Sequence, residues 1–233
     1  MKSSRLTFRL GTISSKSGGK PMRTPFIAGL AIICLLFTSF LVGFGDAKPV
    51  VVDPKFVKAT FAGGCFWCME PPFDHLDGVV SVTSGYTGGK KDNPSYEEVS
   101  SGTTGHAESV EIVYDPSKIS YSRLLDVFWH NIDPTVKDEQ FCDSGTQYRT
   151  AVFYHDAEQK KLAEQSKKML ADSKRLKGII YTEITPATTF YKAEEYHQKY
   201  YKKNPVRYNF YRWNCGRDQR LKEIWGESTD VHK

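Results

Sequence analysis

Alternation of apolar and polar positions begins at Val57, where Val57, Ala59 and Phe61 interleave with Lys58 and Thr60, and it stops at Gly63-Gly64. A half-buried strand has this period of two, and paired glycines end it. A helix is expected to follow over residues 65–76. Its Pro71-Pro72 pair is tolerated in a first turn, where backbone N–H groups have no intrahelical acceptor. Residues 84–101, rich in Gly, Pro, Asn and Ser, predict a long loop. Residues 107–114 alternate again as a strand. Ser120 then caps a helix whose Leu124, Leu125, Phe128, Trp129 and Ile132 share one face. A strand over 149–154 comes next, followed by a helix with Asp156 and Gln159 in capping-box spacing and Leu162, Ser166, Met169 and Leu170 on one side. A strand over 179–184 and a Tyr-rich helix over 193–203, stopped by Asn204-Pro205, complete the pattern. Strands and helices intermingle without a regular βα rhythm, which predicts an α+β fold of two layers.

Ahead of this pattern the chain has a different character. Residues 26–44 form an apolar run of 19 residues with no charged member, preceded by Lys2, Arg5, Arg9, Lys16, Lys20 and Arg23 and followed by small residues around Asp46. That order is the grammar of an export signal, and the run is also near the length that spans a bilayer. An Ser-rich, acid-free organellar transit peptide fits the same segment. The reading taken is a leader or anchor over 1–47, which places the protein in an exported compartment, periplasmic or secreted. A linker follows over 48–55, then a catalytic domain over 56–228 and a short tail over 229–233. The leader also changes the charge picture. The whole chain is +5, yet the six cationic side chains of residues 1–45 face no acidic ones, so the remainder carries −1. A nearly neutral body argues against nucleic acid as its partner, which would need clustered cations.

Of five cysteines, Cys34 lies in the apolar run, leaving Cys65, Cys68, Cys142 and Cys215 in the body. Structural disulfides are the default for an exported chain, but a body of this size does not depend on them to fold. Cys65 follows the Gly-Gly break at the start of a helix, where a negative charge is stabilised and a thiolate forms more readily. Phe66 and Trp67 beside it could wall a pocket for a small methyl group, or be core. The CxxC spacing of Cys65 and Cys68 also suits a thioredoxin-like dithiol or half of a zinc site; isolated Cys142 and Cys215 make a poor second half, so no metal is expected. Glu108 shares a strand face with Val110, Ile112 and Tyr114. Buried there it would keep its proton and act as a general acid; at a strand start it could equally be solvated. Tyr86 and Tyr148, in Gly-containing segments, are neutral donors suited to holding an oxygen atom. His197 between Tyr-rich neighbours reads as a packed structural histidine.

Five segments, AGGCFWC, SGYTGG, GHAE, DSGTQYRT and EEYHQ, stand in the order and spacing of the type A peptide methionine sulfoxide reductases, which the chain resembles over about residues 56–211. The resemblance implies a ferredoxin-like split βαβ core with long loops. It also implies reduction of the S epimer of methionine sulfoxide, free or in oxidised proteins, with no bound cofactor and a thioredoxin-like dithiol as electron donor to a monomeric enzyme. By the same resemblance Cys65 attacks sulfur, Glu108 protonates the sulfoxide oxygen, Tyr86 and Tyr148 hydrogen-bond it, and Phe66 and Trp67 house the methyl. Asp143 and His197 match substrate-pocket positions. Relatives commonly carry glycine at the place of Cys68 and asparagine at that of Cys142, so the thiol that resolves the sulfenic acid is Cys215, on a mobile tail, or Cys68. The first is favoured.

Overall fold

The computed structural model describes residues 55–226; the leader, most of the linker and the tail expected at 229–233 lie outside the described residues. Strand β1 (Val57–Gly63) leads through helix α1 (Phe66–Asp74) into β2 (Val79–Thr87). After the short helix α2 (Tyr96–Ser100), strand β3 (Ala107–Tyr114) inserts between them, antiparallel to both. The unit β1-α1-β2 is therefore a βαβ split by a third strand. Helix α3 (Tyr121–His130) then returns the chain past a two-residue hairpin, β4 (Glu139–Gln140) and β5 (Asp143–Ser144), to β6 (Thr150–Tyr154), which pairs with the other edge of β1. A second split unit, β3-α3-β6, interlocks with the first. Helix α4 (Ala157–Asp172) leads to β7 (Glu183–Pro186), parallel to β6, and β8 (Tyr191–Lys192) closes the far edge on β2. The order of the six-stranded sheet is β7-β6-β1-β3-β2-β8, the ferredoxin-like arrangement expected.

The period of two in β1 sends Ala59 and Phe61 into the main core beneath the helices, and Ala62 into a smaller cluster with Ala107, Ala151 and Phe153. Phe61 is the centre of the main core. Its ring stacks on Phe128 at 4.9 Å, Phe73 at 5.6 Å and Tyr121 at 6.1 Å, which fastens α1 and α3 to the sheet. Burial of each such aromatic is worth about 1.5–3 kcal/mol.

The Gly-Gly break is a steric requirement. A Cβ on Gly63 would lie 2.6 Å from the Met69 sulfur and 2.8 Å from Ile132, while Gly64 has a φ of +81° and Gln140 within 2.5 Å of the same hypothetical atom. Only the smallest residue allows the strand to end so close to the helix that follows.

Several sequence expectations are corrected. The segment 84–101 is not one loop: β2 continues through Thr87, and α2 starts at a capping box in which Ser95 and Glu98 exchange bonds with each other's backbone. Pro71 and Pro72 sit past the first turn of α1, leaving the carbonyls of Trp67 and Cys68 without the usual i+4 donor. The strand expected at 179–184 lies at Glu183–Pro186. The helix expected over 193–203 shrinks to α5 (Tyr200–Lys203), because Lys199 adopts a left-handed φ of 52° while its N–H donates to buried Glu70 at 2.9 Å. Asn204-Pro205 ends α5 as expected, but Pro205 also occupies the first turn of a further helix, α6 (Pro205–Asn214), and α7 (Arg217–Trp225) follows. Cys215 is thus the C-cap of a packed helix rather than part of a mobile tail.

Candidate active site

Cys65 is the N-cap of α1, and its side chain makes no capping bond. Its residue is 7% exposed, and Cys68, one turn on, is buried against Tyr200 and Tyr208. The two thiols are hydrogen-bonded to each other. Burial, reinforced by the bond from Cys68 and the charge of Glu108, pushes the Cys65 thiol well up. Cys68 is lowered, first by the bond from Cys65 and then by the guanidinium groups of Arg217 and Arg212, against its own burial. The helix N-terminus therefore does not by itself make Cys65 the resting thiolate. Desolvation outweighs it.

Beneath the thiols, β3 delivers Glu108 onto the helix-facing side of the sheet, as its alternation predicts, and leaves it 2% exposed. Its Oε2 accepts the N–H of Phe66 at 3.0 Å. Burial raises its pKa; that N–H opposes the rise, the charges of Asp143 and Cys68 add to it, and the outcome is about 8. The carboxyl is therefore protonated at neutral pH, and the solvated alternative is excluded.

The phenols divide. Tyr86 lies opposite Glu108 across β2 and β3, but its hydroxyl donates to Glu194 at 2.8 Å. That hydrogen is already committed. Tyr96, in the first turn of α2, was missed by the sequence reading. Burial, then the charges of Glu108 and Cys65, push its pKa to about 12, and its ring lies 4.4 Å from that of His197. Tyr148, in a 3-10 turn at Thr146–Tyr148, is pushed up by burial and then by Glu108. Among the described residues, neither the Tyr96 nor the Tyr148 hydroxyl has a hydrogen-bond partner. The Ser95/Glu98 capping spacing was the signal that could have located Tyr96.

The aromatic wall is built from α1 and the segment before α5. Phe66 lies 4.9 Å from the His197 ring and 5.9 Å from Tyr86. Trp67 stacks on Tyr200 at 3.8 Å, meets Tyr211 edge-on at 5.8 Å and donates its Nε1–H to His197 Nδ1 at 2.9 Å. That bond makes Nδ1 an acceptor, so neutral His197 carries its proton on Nε2, a buried atom without a hydrogen-bond partner. Burial lowers its pKa, with Glu194 and Glu97 opposing. Asp143, from β5, accepts the Tyr211 hydroxyl and carries a raised pKa through burial, opposed by Tyr211 and Arg217.

Arg217 was also missed. It is 2% exposed, donates to the carbonyls of Gly63 at 3.2 Å and Asn131 at 2.7 Å, and lies over the Phe141 ring at 4.4 Å. Cys142 and Cys215 form a disulfide with Cα atoms 4.9 Å apart, while Cys65 and Cys68 are free thiols. The pair on which a zinc site would have to draw is consumed in that bond.

A paired thiol at a strand-to-helix break, set against a protonated carboxyl, unbonded phenols and an aromatic wall on a split βαβ sheet, defines a thiol-dependent reductase for a small polarised oxygen. Residues 57–229 match the family model of peptide methionine sulfoxide reductase, and the chain belongs to that family. A peptide methionine sulfoxide reductase MsrA of Bacillus licheniformis is 55% identical over 172 residues, covering 74% of this chain and 95% of the relative. MsrA 2 of Caulobacter vibrioides is 49% identical over 195 residues, covering 83% and 98%. Crystalline Mxr1 of Saccharomyces cerevisiae in reduced form superposes with a TM-score of 0.63 at 38% identity, covering 68% of this chain and 92% of that one. The protein is a thiol-dependent peptide-methionine (S)-S-oxide reductase, which returns methionine sulfoxide to methionine.

Proposed function

We propose that Cys65 is the nucleophile, Cys68 its base and then its resolving partner, and Glu108 the acid. The observation that carries this reading is that Cys65 and Cys68 lie on one turn at the start of α1, the Cys68 N–H donating to the Cys65 carbonyl at 3.0 Å, while the Phe66 N–H between them donates to buried Glu108 at 3.0 Å. The proton on Cys65 passes to Cys68, and the freed thiolate attacks the sulfoxide sulfur. Glu108 gives its proton to the oxygen as the sulfur–oxygen bond breaks. The hydroxyl passes from the methionine sulfur to the Cys65 sulfur while the transient bond between the two sulfurs breaks with its electron pair going to methionine, which leaves Cys65 as a sulfenic acid. Cys68 then condenses with it, forming a disulfide and releasing water. Cys68 takes the resolving role from Cys215 because it already touches Cys65, whereas Cys215 is tied to Cys142. Peptide mapping after a single turnover is expected to find a new Cys65–Cys68 disulfide. A new bond from Cys65 to Cys215 would overturn this assignment.

Phe66 and Trp67 house the methyl, with His197 fixing the indole, while Asp143 lines the same pocket. Of the hydroxyls, Tyr96 and Tyr148 are free to bond the sulfoxide oxygen. Tyr96→Phe is expected to lower kcat/KM about 10- to 100-fold, the value of one hydrogen bond to developing charge, and Tyr86→Phe to change it only a few-fold. Equal losses in the two variants would return Tyr86 to the oxygen site. A thioredoxin-like dithiol is the electron donor this chemistry needs, because each turnover leaves a protein disulfide to be exchanged. No cofactor enters the scheme. We propose export from the cationic and apolar pattern of residues 1–47, and a monomeric state from the family resemblance.

A further inference from the structure

The Cys142–Cys215 disulfide joins two segments that are also linked by a second bond. Asp143, next to Cys142 on β5, accepts the hydroxyl of Tyr211 on α6, and Cys215 lies one turn beyond, its N–H donating to the Tyr211 carbonyl at 3.0 Å. The hairpin holding Asp143 is otherwise short, two residues on each strand, with Phe141 at its turn in a left-handed φ of 58° beneath the Arg217 guanidinium. Asp143 faces inward from this hairpin, half-buried, and its charge acts on Cys65, Cys68, Glu108 and Tyr148. Cys142, by contrast, is exposed and open to a reductant.

We infer that the Cys142–Cys215 disulfide and the Tyr211 hydroxyl are positioning devices for Asp143, so that the affinity of the site for methionine sulfoxide depends on the oxidation state of this outer cysteine pair. The inference rests on the proposed place of Asp143 in the substrate pocket. With the disulfide closed, the Tyr211–Asp143 bond forms between groups already held together, and little entropy is lost in making it. A dithiol reductant exchanges the disulfide for two thiols while its own two thiols become a disulfide. The hairpin is then held by the Tyr211 bond and the Arg217–Phe141 contact, and Asp143 withdraws from the site. A second consequence concerns Glu108, which is faced by Cys65 and Cys68 of α1, Tyr86 of β2, Tyr96 of α2, Asp143 of β5 and Tyr148 of the 3-10 turn. Loss of the Asp143 charge relieves Glu108 and lowers its pKa.

The test is binding of S-methionine sulfoxide, followed through Trp67 fluorescence, to full-length Cys65→Ser/Cys68→Ser protein, which cannot turn over. Affinity is measured with the outer disulfide intact, verified by mass, and after dithiothreitol. Reduction is expected to weaken binding about tenfold, the cost of a modest displacement of a positioned group. The further changes Cys142→Ser/Cys215→Ser should bind as weakly as the reduced protein and ignore the reductant, and Asp143→Asn should erase the difference between states. In enzyme with Cys65 and Cys68 intact, Cys142→Ser/Cys215→Ser should move the alkaline limb of single-turnover kcat/KM to lower pH. Equal affinity in both states overturns the inference, whether reduction lowers only the melting temperature, as for a simple staple, or slows only steady-state turnover with a dithiol protein, as for an electron carrier. Absence of binding in either state would instead refute the pocket assignment itself.

Discussion

Cys65→Ser is expected to abolish sulfoxide reduction, with kcat down by at least about 10⁴-fold, while leaving the fold intact or slightly more stable. The two effects have separate causes. A serine hydroxyl in the same position stays protonated and is a poor nucleophile toward sulfur, and it cannot form the sulfenic acid through which Cys68 closes the cycle; loss of an enzyme's nucleophile costs several orders of magnitude. As the N-cap of α1, however, Cys65 makes no side-chain bond to the helix, and serine is among the best residues for that place. A gain of up to about 1 kcal/mol is available to it. Thiol-dependent conversion of racemic methionine sulfoxide, which for the unaltered enzyme should stop near half, and a thermal melt measure the two together. Residual turnover above about one part in a thousand would show that another thiol attacks, with Cys68 the first suspect.

Glu108→Gln should lower kcat/KM by about 10²- to 10⁴-fold, the usual contribution of a positioned general acid. The sign of its pH dependence follows from the raised pKa. The carboxyl is active with its proton on, so kcat/KM is flat up to about pH 8 and falls tenfold per unit above it, whereas the Gln variant lacks that limb. Stability changes in a linked way. A carboxyl whose folded pKa lies above the unfolded value of about 4.3 binds its proton more tightly in the native state. Its stabilising contribution is fully present below the unfolded value and is lost as pH rises to about 8. Glu108→Gln, uncharged throughout and able to accept the Phe66 N–H, should remove this slope. An alkaline limb that persists in the variant would assign it to the thiols instead.

Much of this was legible along the chain because the governing interactions are local. The alternation in β3 put Glu108 on the face with Val110 and Ile112, and the structure buries it there. The Gly-Gly break before Cys65 announced a close strand-to-helix turn, and the clash a Cβ would make with Met69 is its reason. The region after residue 193 was not legible. Lys199 is turned left-handed by a bond to Glu70, 129 positions earlier in the chain, and no local preference of a lysine encodes that. Helix α6, whose outer face leaves Val206, Phe210 and Trp213 exposed, and the charge-rich α7 lack the one-sided apolar stripe by which a helix is recognised.

The sequence by itself determined the class of the fold, through the order of its strands and helices, the sheet face on which Glu108 sits, through the period of two, and the start of a helix beside Cys65, through the Gly-Gly break. Which tyrosine keeps its hydroxyl free, which cysteine pairs with which, and how the environment shifts each thiol were decided only by the tertiary structure. Those outcomes depend on burial and on partners brought from distant segments, Glu194 for Tyr86, Cys142 for Cys215, and Arg217 for Cys68. The energy of a charge or a hydrogen bond is set by what surrounds it in space.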